Sequence, residues 1–226
     1  MTSSSRRARE KAAVHERILD AARAMFARDG IEAVSMRKIA AAIDYTPAAL
    51  YVHFKDKEAL IRALCRHDFR ALQLEQQKVA AAVADPVERI RRIGLAICRF
   101  AGAHPNHYRF MFMTPKSDVE PAPEDLARAG DPDEDGYAFF VELCRQAIGA
   151  GRIRPDLRDA HLVAQTFWAA IHGAIALHIT FADDPWVHLR PLATRARVIV
   201  DCTVEGLTRG AASPAPAGRT PGRARA

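Results

Sequence analysis

With 226 residues, 49% of them hydrophobic and 27% charged, the chain holds too much apolar material to stay unfolded, and enough for one large domain or a small one joined to a larger one. Its net charge of +6 favours a polyanionic partner without requiring one. The four cysteines, Cys65, Cys98, Cys144 and Cys202, lie far apart with no Cys-x-x-Cys pair, which argues against a zinc or dithiol motif and reads them as reduced core residues.

Residues 1–12 are Ser- and Arg-rich without apolar periodicity and are expected to form a disordered basic arm; 211–226 hold no large apolar residue and read as a disordered tail. Charge follows the first residues instead of an apolar run, so no signal peptide is expected. No stretch approaches the roughly 20 apolar residues of a membrane helix, so a cytoplasmic chain without membrane contact is expected. Between the ends, apolar residues recur at three and four, as in Val14, Ile18, Ala22, Met25 and Phe26, and no alternating strand pattern appears. The fold class expected is all-α, with about nine helices.

Gly30 ends the first helix, Ser35 caps a short second (Met36 to Ala42), and Thr46-Pro47 opens a short third reaching Val52. A long fourth runs from Asp56 to about Ala84. Asp85-Pro86 caps a fifth (86–103), and His104-Pro105 starts a sixth ending near Phe112. The Pro- and acid-rich stretch 114–135 reads as a mobile loop. A seventh helix follows over 136–150, then two long ones over 157–181 and 188–209.

A longer helix bracing two short ones with a tight connection is the helix-turn-helix pattern. Burial of Ile39, Ile43, Leu50 and Phe54 leaves Arg37, Lys38, Ala48, Ala49, Tyr51 and His53 facing outward. Small residues on the third helix suit close approach to a major groove, where Ala methyls meet thymine methyls and Arg37 can pair with guanine. Tyr51, His53, Lys55 and Lys57 are candidate phosphate contacts, with Thr46 and Pro47 at the helix start. From Met1 to Lys57, eleven basic residues stand against seven acids.

These residues, Arg17-Ile18-Leu19-Asp20-Ala21-Ala22, Phe26, Gly30, Ser35-Met36-Arg37-Lys38-Ile39-Ala40 and Leu50-Tyr51-Val52-His53-Phe54-Lys55-Asp56-Lys57-Glu58-Ala59-Leu60, resemble the head of TetR-family transcription regulators over about 45 positions. Asp44 stands where that family often has Gly, and Asp tolerates the left-handed conformation such a turn needs. Farther on, Trp168-Ala169-Ala170-Ile171-His172-Gly173, preceded by Gly151-Arg152-Ile153-Arg154-Pro155-Asp156, resembles the C-terminal domain subtype carrying a Trp-x-x-x-His-Gly motif. The resemblance implies a head over 13–57, a ligand-binding and dimerisation body over 58–210, palindromic operator DNA as partner, and a homodimer that an apolar or aromatic small molecule releases from DNA.

For that body, Phe100, His104, Tyr108, Phe110, Met111, Phe140, Cys144, Trp168 and His172 are the candidate pocket residues, His172 reading first as a structural histidine and second as a ligand contact. Ile171, Ile175, Ile199, Cys202 and Leu207 are the candidate dimer contacts. No cofactor or metal is expected, although His104 and His107 near Cys98 and Cys144 leave a metal- or redox-responsive regulator as the alternative, and a carrier with a vestigial head as a third. Phosphate loops, nucleophile elbows and His-Glu-x-x-His helices are absent from the sequence, so no enzyme is expected.

Overall fold

A computed structural model describes residues 3–116, 119–182 and 184–210, and all regular elements among them are helices. They are α1 (Ser3–Asp29), α2 (Met36–Ala42), α3 (Pro47–Tyr51), α4 (Lys57–Ala81), α5 (Pro86–Ala103), α6 (Pro105–Met113), α7 (Pro123–Leu126), α8 (Gly136–Gly149), α9 (Ala160–Thr180) and α10 (Leu192–Thr208). The tenth helix beyond the nine expected is α7, a single turn inside the stretch read as a loop.

Side-chain caps set the starts. Ser35, Thr46, Asp56 and Asp85 accept from the backbone N–H three residues on, opening α2, α3, α4 and α5. Asp135 and Asp159 do the same for α8 and α9. At the C-terminal end of α6 a lysine fills the complementary role, as Lys116 Nζ donates to the carbonyls of Phe110, Met111 and Thr114.

The basic arm departs from expectation. Residues 3–12 are continuous with α1, because Ala, Arg, Glu and Lys are good helix formers and Arg6 and Glu10 pair one turn apart at 3.3 Å. The tail expected over 211–226 lies outside the described residues.

Two apolar cores form. The first joins α1, α2, α3 and the start of α4 through Ile18, Phe26, Ile39, Leu50, Leu60 and Leu64. It also takes in Phe110 from α6, whose ring stands 6.1 Å from that of Phe26. The second gathers α5, α8, α9 and α10 around Ile93, Cys144, Phe167, Ile171 and Val200. Here α5 approaches α9 and α10 closely at Gly94, where a Cβ would stand 2.5 Å from the Phe167 ring and 3.2 Å from Val200.

The expectation of no membrane-length apolar run is corrected by α9, which by length and composition is apolar enough to cross a membrane. No Asp, Glu, Lys or Arg interrupts Ala160–Thr180, and one face is laid against α5, α8 and α10, the pattern of a core helix.

Candidate nucleic-acid interface and interior cavity

Asp44 makes the tight connection between α2 and α3 in the left-handed region, φ 59°, as its side chain allows. With Ile39, Leu50 and Phe54 buried beneath, the solvent side of this pair presents Arg37, Lys38, Thr46, Ala48, Tyr51 and Lys55 exposed, and Pro47, Ala49, His53 and Lys57 half-buried. Lys38 Nζ donates to the Ala33 carbonyl at 2.6 Å and Lys57 Nζ to the Ile31 carbonyl at 3.2 Å, fixing both ammonium groups to the α1–α2 turn. Each ammonium has three donors, so each retains N–H groups for an anion. Thr46 Oγ1 accepts from the Ala49 N–H as the α3 cap, which still leaves its O–H as a donor. Val52, 73% exposed at the end of α3, is an apolar contact the sequence reading did not single out.

His53 Nδ1 is buried and has no hydrogen-bond partner among the described residues. Burial, then the neighbouring His15 and Lys11, hold this imidazole below its ordinary pKa.

An ion pair joins this head to the body. Arg23 on α1 forks onto Asp68 on α4, Nε to Oδ2 at 2.7 Å and Nη2 to Oδ1 at 2.8 Å, with both side chains almost wholly buried. His67 Nδ1 lies 3.0 Å and His107 Nδ1 of α6 lies 3.5 Å from Asp68 Oδ1. Burial alone would raise the Asp68 carboxyl, but hydrogen bonds from His107, Arg23 and His67 hold it well below the carboxylate range.

Beside this junction a cavity of about 1570 Å³ opens between α4, α6, α8, α9 and the stretch 119–135. That exceeds the roughly 300–1,000 Å³ of ordinary small-molecule sites. Of the candidate pocket residues, Met111, Phe140 and Trp168 line it. The others do not. Phe110 belongs to the head core, and Cys144 and Tyr108 are buried in the body core. The Phe100 and His104 rings meet at the α5–α6 corner, 5.3 Å apart and tilted by 47°. His172 Nδ1 sits 2.8 Å from the Tyr108 hydroxyl in a hydrogen bond, and burial holds the imidazole below its ordinary pKa. The wall that sequence reading missed is α4: Ile61, Cys65, Phe69, Leu72 and Gln76 recur at three and four and share one face on the cavity.

The metal- and redox-responsive alternative finds little support. Among the described residues there is no cluster of three or more His, Cys, Asp and Glu side chains able to hold a metal ion. Burial pushes the thiols of Cys65 and Cys98 up to about 11 and that of Cys144 up to about 12, away from the thiolate a redox switch uses.

The dimer candidates divide as well. Ile171, Ile175 and Leu207 are 1%, 0% and 4% exposed in the single chain, closed off by packing among α5, α8, α9 and α10, and Ile171 also borders the cavity. Ile199 is half-buried and Cys202 exposed. Of the large apolar side chains that α9 and α10 leave exposed, Trp168 lines the cavity and Leu162, Leu177 and Val198 do not, and open space lies over Gly173 and Gly206.

Residues 18–64 match the model of bacterial regulatory proteins of the tetR family, and residues 90–185 that of the tetracyclin repressor-like C-terminal domain. The HTH-type transcriptional regulator UidR of Escherichia coli is 36% identical over 64% of this chain and 71% of its own. The HTH-type transcriptional repressor KstR2 of Mycobacterium tuberculosis is 27% identical over 68% of this chain and 78% of its own. The solved structure described as the ketosteroid transcriptional regulator KstR2 superposes with a TM-score of 0.67 at 22% identity, covering 86% of this chain and 95% of that one.

Proposed function

The chain belongs to the tetR family of bacterial regulatory proteins and is a DNA-binding transcription regulator, and from this we propose that it is a homodimeric repressor released from a palindromic operator when an apolar effector fills the cavity. The observation that carries this reading is the position of α4. It starts at Lys57 on the DNA side, passes Asp68 at the head–body junction, and lines the cavity from Ile61 to Gln76. An occupant that tilts α4 reaches Arg23 through Asp68 and so moves the head.

Arg37 and the Ala48 methyl are assigned to base edges, and Tyr51, Lys55 and Lys57 to phosphates. The ligand class follows from the aromatic wall of Phe69, Phe112, Tyr137 and Trp168. One relative being described as a ketosteroid regulator supports an apolar effector of substantial size. Membership of the Trp-x-x-x-His-Gly subtype fits the roles of its residues: Trp168 faces the cavity, His172 bonds Tyr108, and Gly173 leaves open space for a partner helix. The partner is a second copy laid along Leu162, Gly173 and Leu177 of α9 and Val198 and Cys202 of α10, an isologous four-helix contact.

Coupling of this kind is reciprocal, so operator DNA and effector weaken each other's binding by one common factor, about 5–150-fold. Calorimetry with a panel of apolar and aromatic compounds, with and without the selected operator, tests it. Trp168→Ala should reduce the response while leaving operator affinity without effector unchanged. Effector affinity that ignores DNA would refute this scheme.

A further inference from the structure

Residues 5–13 of α1 are exposed throughout, and only from Val14 onward does the helix begin to join the head core. Helix that is polar all round and exposed contributes little to packing. This segment carries Arg6, Arg7, Arg9 and Lys11 against the single acid Glu10, which pairs with Arg6. Cations gathered at the first turns also oppose the helix dipole, which favours acids there, and α1 has no acid in its first turn. Neither burial nor the helix dipole therefore favours the charge here.

Neighbouring side chains say where the segment emerges. The His15 ring lies 4.7 Å from Phe54 and 6.0 Å from His53, and Lys11 is close enough to depress the His53 pKa. On the other side of α1, Arg17 Nη2 donates to the Ile43 carbonyl at 3.1 Å and its guanidinium covers the Tyr45 ring, beside the turn that carries α3. The exposed helix thus leaves the head next to His53 and Phe54, just past the end of α3 and beside the face assigned to DNA. From His15 to Ser3 it extends about 18 Å at 1.5 Å per residue. That length runs alongside roughly five base pairs at 3.4 Å each.

We propose that this basic stretch of α1 is a second DNA contact, a helical arm that grips backbone phosphates of the duplex flanking the half-site read by α2 and α3. The arm adds affinity and lengthens the protected site without reading bases. This rests on the operator reading above, and the test separates the two.

The probe is the duplex that the full-length chain selects from a random-sequence library, made in two lengths: the selected base pairs alone, and the same with about one helical turn of arbitrary sequence on each side. The triple variant Arg6→Gln, Arg7→Gln, Lys11→Gln retains good helix formers. On the short duplex it should bind like the parent. On the long one it should lose roughly ten-fold or more at moderate salt, with the salt slope falling by about 0.9 for each phosphate no longer neutralised. Ala8→Pro keeps every charge and breaks the helix, and it too should lose the flank advantage. Equal affinity of the parent for both duplexes, equal losses by the triple variant on both, or an unaffected Ala8→Pro overturns the arm. If instead Tyr51→Ala and Lys55→Ala leave binding to the short duplex intact, the operator reading falls, and the arm with it.

Discussion

Asp68→Leu removes one partner of the buried pair that ties α1 to α4. In the parent, Arg23 is 2% and Asp68 0% exposed, so the variant strands a guanidinium with no water to turn to. Breaking such a pair costs about 3–5 kcal/mol. Asp20 remains on Arg23 Nη1 at 2.6 Å, and with its side chain 69% exposed it offsets part of the loss, which places the expectation near the lower end, about 3 kcal/mol. For a chain of this size that lowers the melting temperature by about 6–12 °C. Replacing both partners by apolar residues, Arg23→Met with Asp68→Leu, leaves no stranded charge and should recover most of the stability. The pH dependence has a definite sign: the Asp68 carboxyl is held low in the folded chain, so the pair stabilises above the unfolded pKa of about 3.9 and fades as pH falls below it. Thermal and urea unfolding of parent, single and double variants at pH 7 and under acid measures all of this. A single variant that loses under about 1 kcal/mol, or a double variant less stable than the single, would refute the stranded-charge argument.

Three further outcomes are expected. Gly94→Ala drives a Cβ into the buried Phe167 ring, 2.5 Å away, and should cost about 1–3 kcal/mol in denaturant unfolding; a neutral result would mean α5 can shift away from α9. His53 is neutral-biased in the free head and would be charged against a phosphate, so operator affinity should rise as pH falls from 7.5 to 6, by at most about ten-fold per unit for one proton, and His53→Gln should flatten that slope; an equal slope in both proteins rules it out. Val198→Glu alters a side chain 60% exposed in the single chain, so sedimentation should find folded monomers, whereas Ile175→Glu, at 0% exposure, should unfold the chain; a dimer that survives Val198→Glu places the interface elsewhere.

Much of the local structure was legible because its causes are local. A hydroxyl or carboxylate three residues before a free N–H is visible at Ser35, Thr46, Asp56 and Asp85, while the left-handed turn is placed at Asp44 by the family resemblance, with Asp able to adopt it. What covers a helix face was not legible. Periodicity groups Ile171 with Ile175, and Leu207 with Val204, but it cannot distinguish a face closed by the same chain from one left for a partner, and these are closed by their own chain. Aromatic composition likewise suggested a cavity without saying which rings point into it. Phe110 went to the head core and Tyr108 to His172, while the α4 wall looked like ordinary core spacing. Composition does not separate arm from helix over residues 3–12, because a polar, charge-rich stretch satisfies the compositional rule for disorder and the propensity rule for helix at once.

Phe110 belongs by sequence to the body and by packing to the head. A cut in the chain after Lys57 therefore severs a hydrophobic core and exposes both Phe26 and Phe110. A chimera that grafts this head onto a foreign body must import the residue that fills Phe110's place, or accept a void among Phe26, Leu60 and Leu64. Inheritance meets the same constraint. Substitutions at Phe26, Leu60 or Leu64 and at Phe110 must stay matched in volume, so head and body vary together where they share this core.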